Sequence, residues 1–220
     1  MARALSVIHT SSPGGAYEAH VTIAARSTED LQRFRDFCGA VRLKCIFIEL
    51  GHDAARLQPM TASYHQGTLQ KALDEVRAYA RTLTVEGFQV TRLKLEALGT
   101  NRDIPEDDGV AQAQPANYFE FHVKVTLPPL GADLDALQAR CSRHGAHLSR
   151  NARKVRADGA SERFVTLRVW GLGRPNAEAR FTALLRDLAE TGLPLSYPLR
   201  EYTVYDSNLE LDHGWGEVLT

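Results

Sequence analysis

Two segments of this chain carry the same strand. Tyr17-Glu18-Ala19-His20-Val21-Thr22-Ile23 alternates with period two, and so does Phe119-Glu120-Phe121-His122-Val123-Lys124-Val125 in the second half. Each places Glu-x-His on its polar side and an apolar set on the other. The flanking pattern repeats with nearly the same offset. Leu31, Phe34, Phe37 and Cys38 recur at helical spacing after the cap Ser27, with Gly39 as a stop. Leu69, Ala72, Leu73, Val76, Ala80 and Leu83 mark a second helix from Thr68 to Glu86, ended by Gly87. The later half answers with Leu134, Leu137 and Cys141 before Gly145. Then comes a helix capped by Asn176, carrying Ala177, Phe181, Leu184, Leu185 and Leu188 and ended by Gly192.

Three further strand pairs complete the repeat. Cys45–Leu50 matches Ala146–Asn151. Gln58–His65 matches Arg163–Trp170, setting Thr61 against Thr166. Val90–Ala97 matches Ser196–Thr203, setting Glu96 against Glu201. Each half therefore reads strand–helix–strand–strand–helix–strand. The expected fold is α+β: tandem duplicated ferredoxin-like (βαββαβ) domains with antiparallel sheets, related by a pseudo-twofold axis. The expected boundaries are a first repeat over 1–98, an acidic linker over 99–116, a second repeat over 117–206 and a C-terminal arm over 207–220, docked by Tyr205 and Trp215.

Sorting strand residues by side gathers polar groups on the face away from the helices. The first half collects Glu18, His20, Thr22, Thr61, Ser63, His65, Lys94 and Glu96; the second collects Glu120, His122, Lys124, Thr166, Arg168 and Glu201. The first and third strands are central neighbours in such a sheet, so these groups converge and perturb one another's pKa values. A functional cleft is one reading. A wet sheet face, or a polar interface between the halves, is the other.

His20-Val21-Thr22 and His122-Val123-Lys124 resemble the strand motifs of the two-histidine phosphoesterase superfamily, which includes the RNA 2′,5′-ligase-like cyclic phosphodiesterases. Members have two related lobes, each with a His-x-Thr/Ser strand lining a shared cleft. The first motif fits; the second carries Lys124 in place of the hydroxyl residue. The resemblance implies a metal-independent hydrolase acting on a phosphate-containing small molecule or nucleotide. His20 and His122 would exchange protons with attacking and leaving groups, while Thr22, Lys124 and Arg168 would hold the phosphate. Glu18 and Glu120 would tune the rings, and Thr61, Thr166, Lys94, Glu96 and Glu201 would line the ligand site. Two other readings stay open: a non-catalytic module binding a small anionic ligand, and a structural protein whose polar faces join the halves.

Other classes receive less support. Lys plus Arg (26) almost cancels Asp plus Glu (27), so no bulk field draws nucleic acid or an anionic membrane. A basic run (Arg150, Arg153, Lys154, Arg156, Arg163 and Arg168) leaves a nucleic-acid strand open but not favoured. No stretch approaches the roughly 18 apolar residues of a membrane span, and Leu5–Ile8 is too short for a signal-peptide core. Three cysteines, Cys38, Cys45 and Cys141, without metal spacing, suggest reduced thiols and a cytoplasmic setting. Cys141, His144 and His147 need not share a face, so no metal or other cofactor is expected. Oligomeric state is not legible.

Overall fold

The computed structural model describes residues 14–49, 57–129 and 132–212, except for the side chains of 49, 150–155, 210 and 212. The elements are β1 (Gly15–Ala24), α1 (Thr28–Ala40), β2 (Lys44–Glu49), β3 (Leu57–Gly67), α2 (Leu69–Val85), β4 (Gln89–Leu98), α3 (Asp108–Gln112), β5 (Tyr118–Leu127), α4 (Leu134–Arg143), β6 (Ala146–Val155), β7 (Ser161–Trp170), α5 (Arg174–Ala189) and β8 (Leu195–Asp206), followed by a 3-10 turn over Leu209–Asp212. The fold is mixed α+β, with one antiparallel sheet of eight strands and five α-helices among the described residues.

The sheet closes into a barrel in the order β1-β3-β2-β6-β7-β5-β8-β4. Strands β1 to β4 stand together, as do β5 to β8. The seams are β4 with β8, from Lys94↔Asp206 to Ala97↔Tyr202, and β2 with β6, at Glu49↔Arg150. Closure removes the unpaired edges that two separate four-stranded sheets would expose.

The amphipathic helices fix which face points outward. The interior of an eight-stranded barrel holds its own side chains or at most one small ligand, so helices pack only on its outside. The apolar strand faces must therefore meet the helices on the outside. Tyr17, Ala19, Val21, Ile23, Phe121, Val123, Val165 and Leu167 are almost fully buried there, against Phe34, Val76 and Leu83 of α1 and α2 and Phe181 and Leu184 of α5. Phe121 stacks on Phe181 at 4.7 Å between centroids. The polar faces are left to enclose the interior.

Most local signals hold. Ser27, Thr68 and Asp133 cap α1, α2 and α4 through bonds to Asp30 N, Lys71 N and Ala136 N. Gly87 and Gly192 adopt φ of 83° and 71°, the left-handed region where glycine carries no Cβ penalty. Two expectations need correction. Helix α1 runs through Gly39 to Ala40, and Arg42 takes the left-handed turn instead, at φ 58°. Asn176 does not cap α5: the helix starts at Arg174 after Gly173, with Pro175 in its first turn. The free N–H at its start is satisfied from elsewhere in the chain. Gly173 N donates to Asp108 Oδ1 at 2.6 Å, and Asn176 Nδ2 to Asp108 Oδ2 at 2.8 Å.

The connector is thus a packed strap. It contains α3, buries Ile104 and Ala111, and accepts a bond from Tyr17 Oη on Asp103 at 2.5 Å. Removing the cap with Asp108→Ala is expected to cost about 1 kcal/mol, read from denaturant midpoints at unchanged m-value. A change below a few tenths would assign the α5 end to the protein core instead.

At the other end, β8 extends to Asp206. Ser207 Oγ accepts from Leu93 N, and Asn208 Nδ2 donates to Thr91 O. Of the two residues expected to dock the arm, Tyr205 sits opposite Leu95 in the β4–β8 seam, while Trp215 lies outside the described residues. No described helix is long and apolar enough to cross a membrane.

Candidate functional site

Strand register decides which predicted residues meet. Glu18 and His20 on β1 stand opposite Glu96 and Lys94 on β4; Glu120 on β5 stands opposite Arg168 on β7 and Glu201 on β8; His122 stands opposite Thr166. Directly paired residues share a face, so all of these turn into the barrel. Arg92, opposite Thr22, and Asp206, opposite Lys94, join them, although the sequence reading named neither as a site residue. Their signal was present in the alternation Arg92-x-Lys94-x-Glu96.

One expected group lies elsewhere. Thr61, Ser63 and His65 pair with Val21, Ala19 and Tyr17, whose side chains belong to the outer core, so they face the helices. Thr61 Oγ1 accepts from Val21 N at 3.3 Å, and its interior contribution is its backbone carbonyl, 3.2 Å from His20 Nδ1. The residue opposite His20 on β3 is Ala62; the residue opposite His122 on β7 is Thr166. The two threonines are therefore not equivalent.

The two histidines sit in matching nests of carboxylates. His20 Nε2 is 3.2 Å from Glu96 Oε2 and 3.8 Å from Glu18 Oε1; His122 Nε2 is 3.4 Å from Glu201 Oε2 and 3.8 Å from Glu120 Oε1. Lys94 joins the nests. Its Nζ lies 2.5 Å from Glu96 Oε1 and also pairs with Glu120 Oε2. Glu120 in turn takes Nε and Nη2 of Arg168, at 3.1 and 3.0 Å. An unbroken chain of charges, His20–Glu96–Lys94–Glu120–His122, thus spans both halves. Around it, Arg92 pairs with Asp206, which also accepts from Tyr118 Oη at 2.9 Å. Lys124 Nζ pairs with Glu162 at 3.0 Å and lies over the rings of Tyr197 and Phe164, at 5.0 and 5.5 Å. Thr22 is buried on the same face.

Burial and charge compete at each group. Desolvation pulls His20 down, but the Glu96 carboxylate against its ring outweighs it and the pKa is raised. His122 is likewise pulled down by burial and raised overall by Glu201 and Glu120. Burial raises Glu96, yet Lys94 and His20 bring its carboxyl down to about 2; Glu120 is held well below the carboxylate range against burial by Arg168 and Lys94. Glu201 moves up, through burial and the charge of Glu96. Among the described residues, the cations Arg92, Lys94, Lys124 and Arg168 face the carboxylates Glu18, Glu96, Glu120, Glu162, Glu201 and Asp206. With every carboxylate ionised, this set is neutral only when both imidazoles are protonated.

The remaining candidates disperse. Cys141 is in the core; His144 Nε2 binds Asp187 Oδ2 at 2.9 Å on the outside; His147 stands opposite Thr166 on the barrel face. Of the basic run, Arg150, Arg153 and Lys154 fall outside the described side chains, Arg156 pairs with Asp158, and Arg168 is committed to Glu120.

Fold and site together define an antiparallel barrel with a charged interior and a helical coat. No protein-family model matches the chain, and no curated protein matches its sequence.

Proposed function

We propose that the chain is a tandem, pseudo-twofold duplicate of a ferredoxin-like unit whose joined polar faces form an acid–base site. That site acts without a metal on a small phosphate-containing molecule, through His20 and His122. Within each run of four strands the spatial order is fourth, first, third, second, which supports the duplication. The observation that carries the functional reading is the exposure of the rings. The His122 and His20 side chains keep 21 % and 15 % of their surface, more than any of the carboxylates they touch.

Hydrogen bonding divides the roles. Among the described residues, His20 has only acceptors on both nitrogens, the Thr61 carbonyl at Nδ1 and carboxylates at Nε2. It is satisfied as the imidazolium, the proton donor to a leaving oxygen. His122 Nδ1 lies 2.9 Å from the Thr166 hydroxyl, which accepts from the ring while it is protonated and donates to it once the proton has left. That ring takes the base role toward the attacking group. Every permanent interior cation named above already has a carboxylate partner, so the His20 imidazolium supplies the positive charge that meets a phosphate.

The same pairing favours a second reading, in which the network only joins the halves. Turnover of 2′,3′-cyclic nucleotides separates the two. The first reading expects hydrolysis that survives EDTA and falls about 10²–10⁴-fold in His20→Ala and in His122→Ala. Absence of EDTA-resistant turnover in the folded parent, with no thermal shift in phosphate or sulfate, leaves the joining role.

A further inference from the structure

Outside the barrel, under the first turns of α2, three side chains form a line that the interior network does not touch. Ser63 Oγ lies 2.8 Å from His65 Nε2, and His65 Nδ1 lies 2.7 Å from Glu75 Oε2. Ser63 and His65 are two residues apart on β3 and so point to the same face; Glu75 reaches them from α2. His65 is almost fully buried, Ser63 half-buried, and the Tyr79 ring lies 5.9 Å from the imidazole. Lys71 Nζ, 3.7 Å from the second carboxylate oxygen of Glu75, holds that oxygen from the solvent side.

We propose that Ser63, His65 and Glu75 form a nucleophilic serine site for small, unhindered carboxylic esters. The order of contacts is that of nucleophile, base and orienting carboxylate. The proton positions follow from the partners. A bond from His65 lowers the Glu75 carboxyl, which is therefore an acceptor at neutral pH. In the neutral ring the proton then sits on Nδ1, leaving the Nε2 lone pair toward the serine hydroxyl. That is the tautomer a general base requires. Access follows from the register. Strand β2 pairs with β3 only as far as Lys44↔Ala62, so Ser63 is the first residue beyond its cover.

In the reaction, Ser63 Oγ bonds to the ester carbonyl carbon as its proton passes to His65 Nε2. The bond to the alcohol oxygen breaks, and the alcohol leaves with that proton. Water then attacks the acyl-serine, giving one proton to His65 Nε2. The acid departs as Oγ recovers the proton. Ser63 and His65 are catalytic residues here; Glu75 is a positioning residue, half-exposed and acting through the ring.

The test is covalent labelling of the full chain with an alkyl fluorophosphonate, located by peptide mass spectrometry. Oγ displaces fluoride from phosphorus while His65 takes the proton. The expected result is a single adduct on Ser63, lost in Ser63→Ala and formed about 10²–10⁴-fold more slowly in His65→Gln. Glu75→Gln, at a position that tolerates exposure, covers the case in which the buried histidine variant does not fold. Its amide donates to Nδ1, moves the ring proton to Nε2, and slows labelling while circular dichroism stays that of the parent. An unlabelled Ser63 in folded parent protein, or labelling equally fast in Glu75→Gln, overturns the site. Failure of the interior histidine site leaves this result unaffected, because the two share no residue.

Discussion

Lys94→Ala is expected to lower the free energy of unfolding by about 3–5 kcal/mol, the cost of breaking a buried ion network by removing one partner. Lys94 lies on β4 and is buried, and it touches Glu96 of its own strand and Glu120 of β5, both almost without solvent contact. In the closed order β4 and β5 are separated by β8, so this contact reaches across the interior and is not part of a strand ladder. Its loss leaves Glu96 with His20 alone, and Glu120 with Arg168 and His122. The uncompensated carboxylates, more than the missing amine, set the magnitude. Lys94→Met combined with Glu96→Gln is therefore expected to be less damaging than the sum of the single changes, a non-additivity that marks one network. Urea or guanidinium unfolding reads all of these. If Lys94→Ala unfolds within about 1 kcal/mol of the parent, the charge chain does not hold the two halves.

The strands were legible because their inner and outer sets alternate cleanly on β1, β4 and β5. The helices were legible because their caps and stripes agree. Strand β3 departs from its sequence pattern for a physical reason. Its two sets are Met60, Ala62 and Tyr64 on one side and Thr61, Ser63 and His65 on the other, and polarity alone sends the second set to the polar face. The register with β1 does the reverse. The outer set is satisfied by particular partners that no periodicity announces: Val21 N for Thr61, and Glu75 with the imidazole between for Ser63. Likewise, Glu96 and Glu201 emerged as a pair from sequence offset, but the link through Lys94 depends on barrel closure, which local pattern does not encode. Asp108 as the remote cap of α5 belongs to the same class of long-range contact.

Stability is expected to be greatest between about pH 4.5 and 6.5 and to fall on both sides, with the alkaline fall carried by the barrel histidines. The signs differ group by group. His20 and His122 have raised folded pKa values, so their contribution is complete below the unfolded value of about 6.5 and is lost as pH rises through the folded values. Glu201, also raised, declines in the same direction but from lower pH. Glu96 and Glu120 are depressed, so their contribution is present above the unfolded value of about 4.3 and disappears as pH drops toward the folded values, about 2 for Glu96. Lys94 is raised well above its ordinary value and holds its share until pH passes about 10.4. Against this trend, burial and Arg168 lower His147, whose contribution grows as pH rises. Two histidines outweigh one, at up to about 1.4 kcal/mol per pH unit for each proton whose binding differs between the states. Denaturant unfolding at pH 5.5, 7 and 8.5 measures the slope, and His20→Ala and His122→Ala are each expected to flatten it. A parent that grows steadily more stable from pH 5.5 to 8.5 would mean that the imidazoles do not neutralise the excess carboxylates, and that the interior sheds its negative charge by another route.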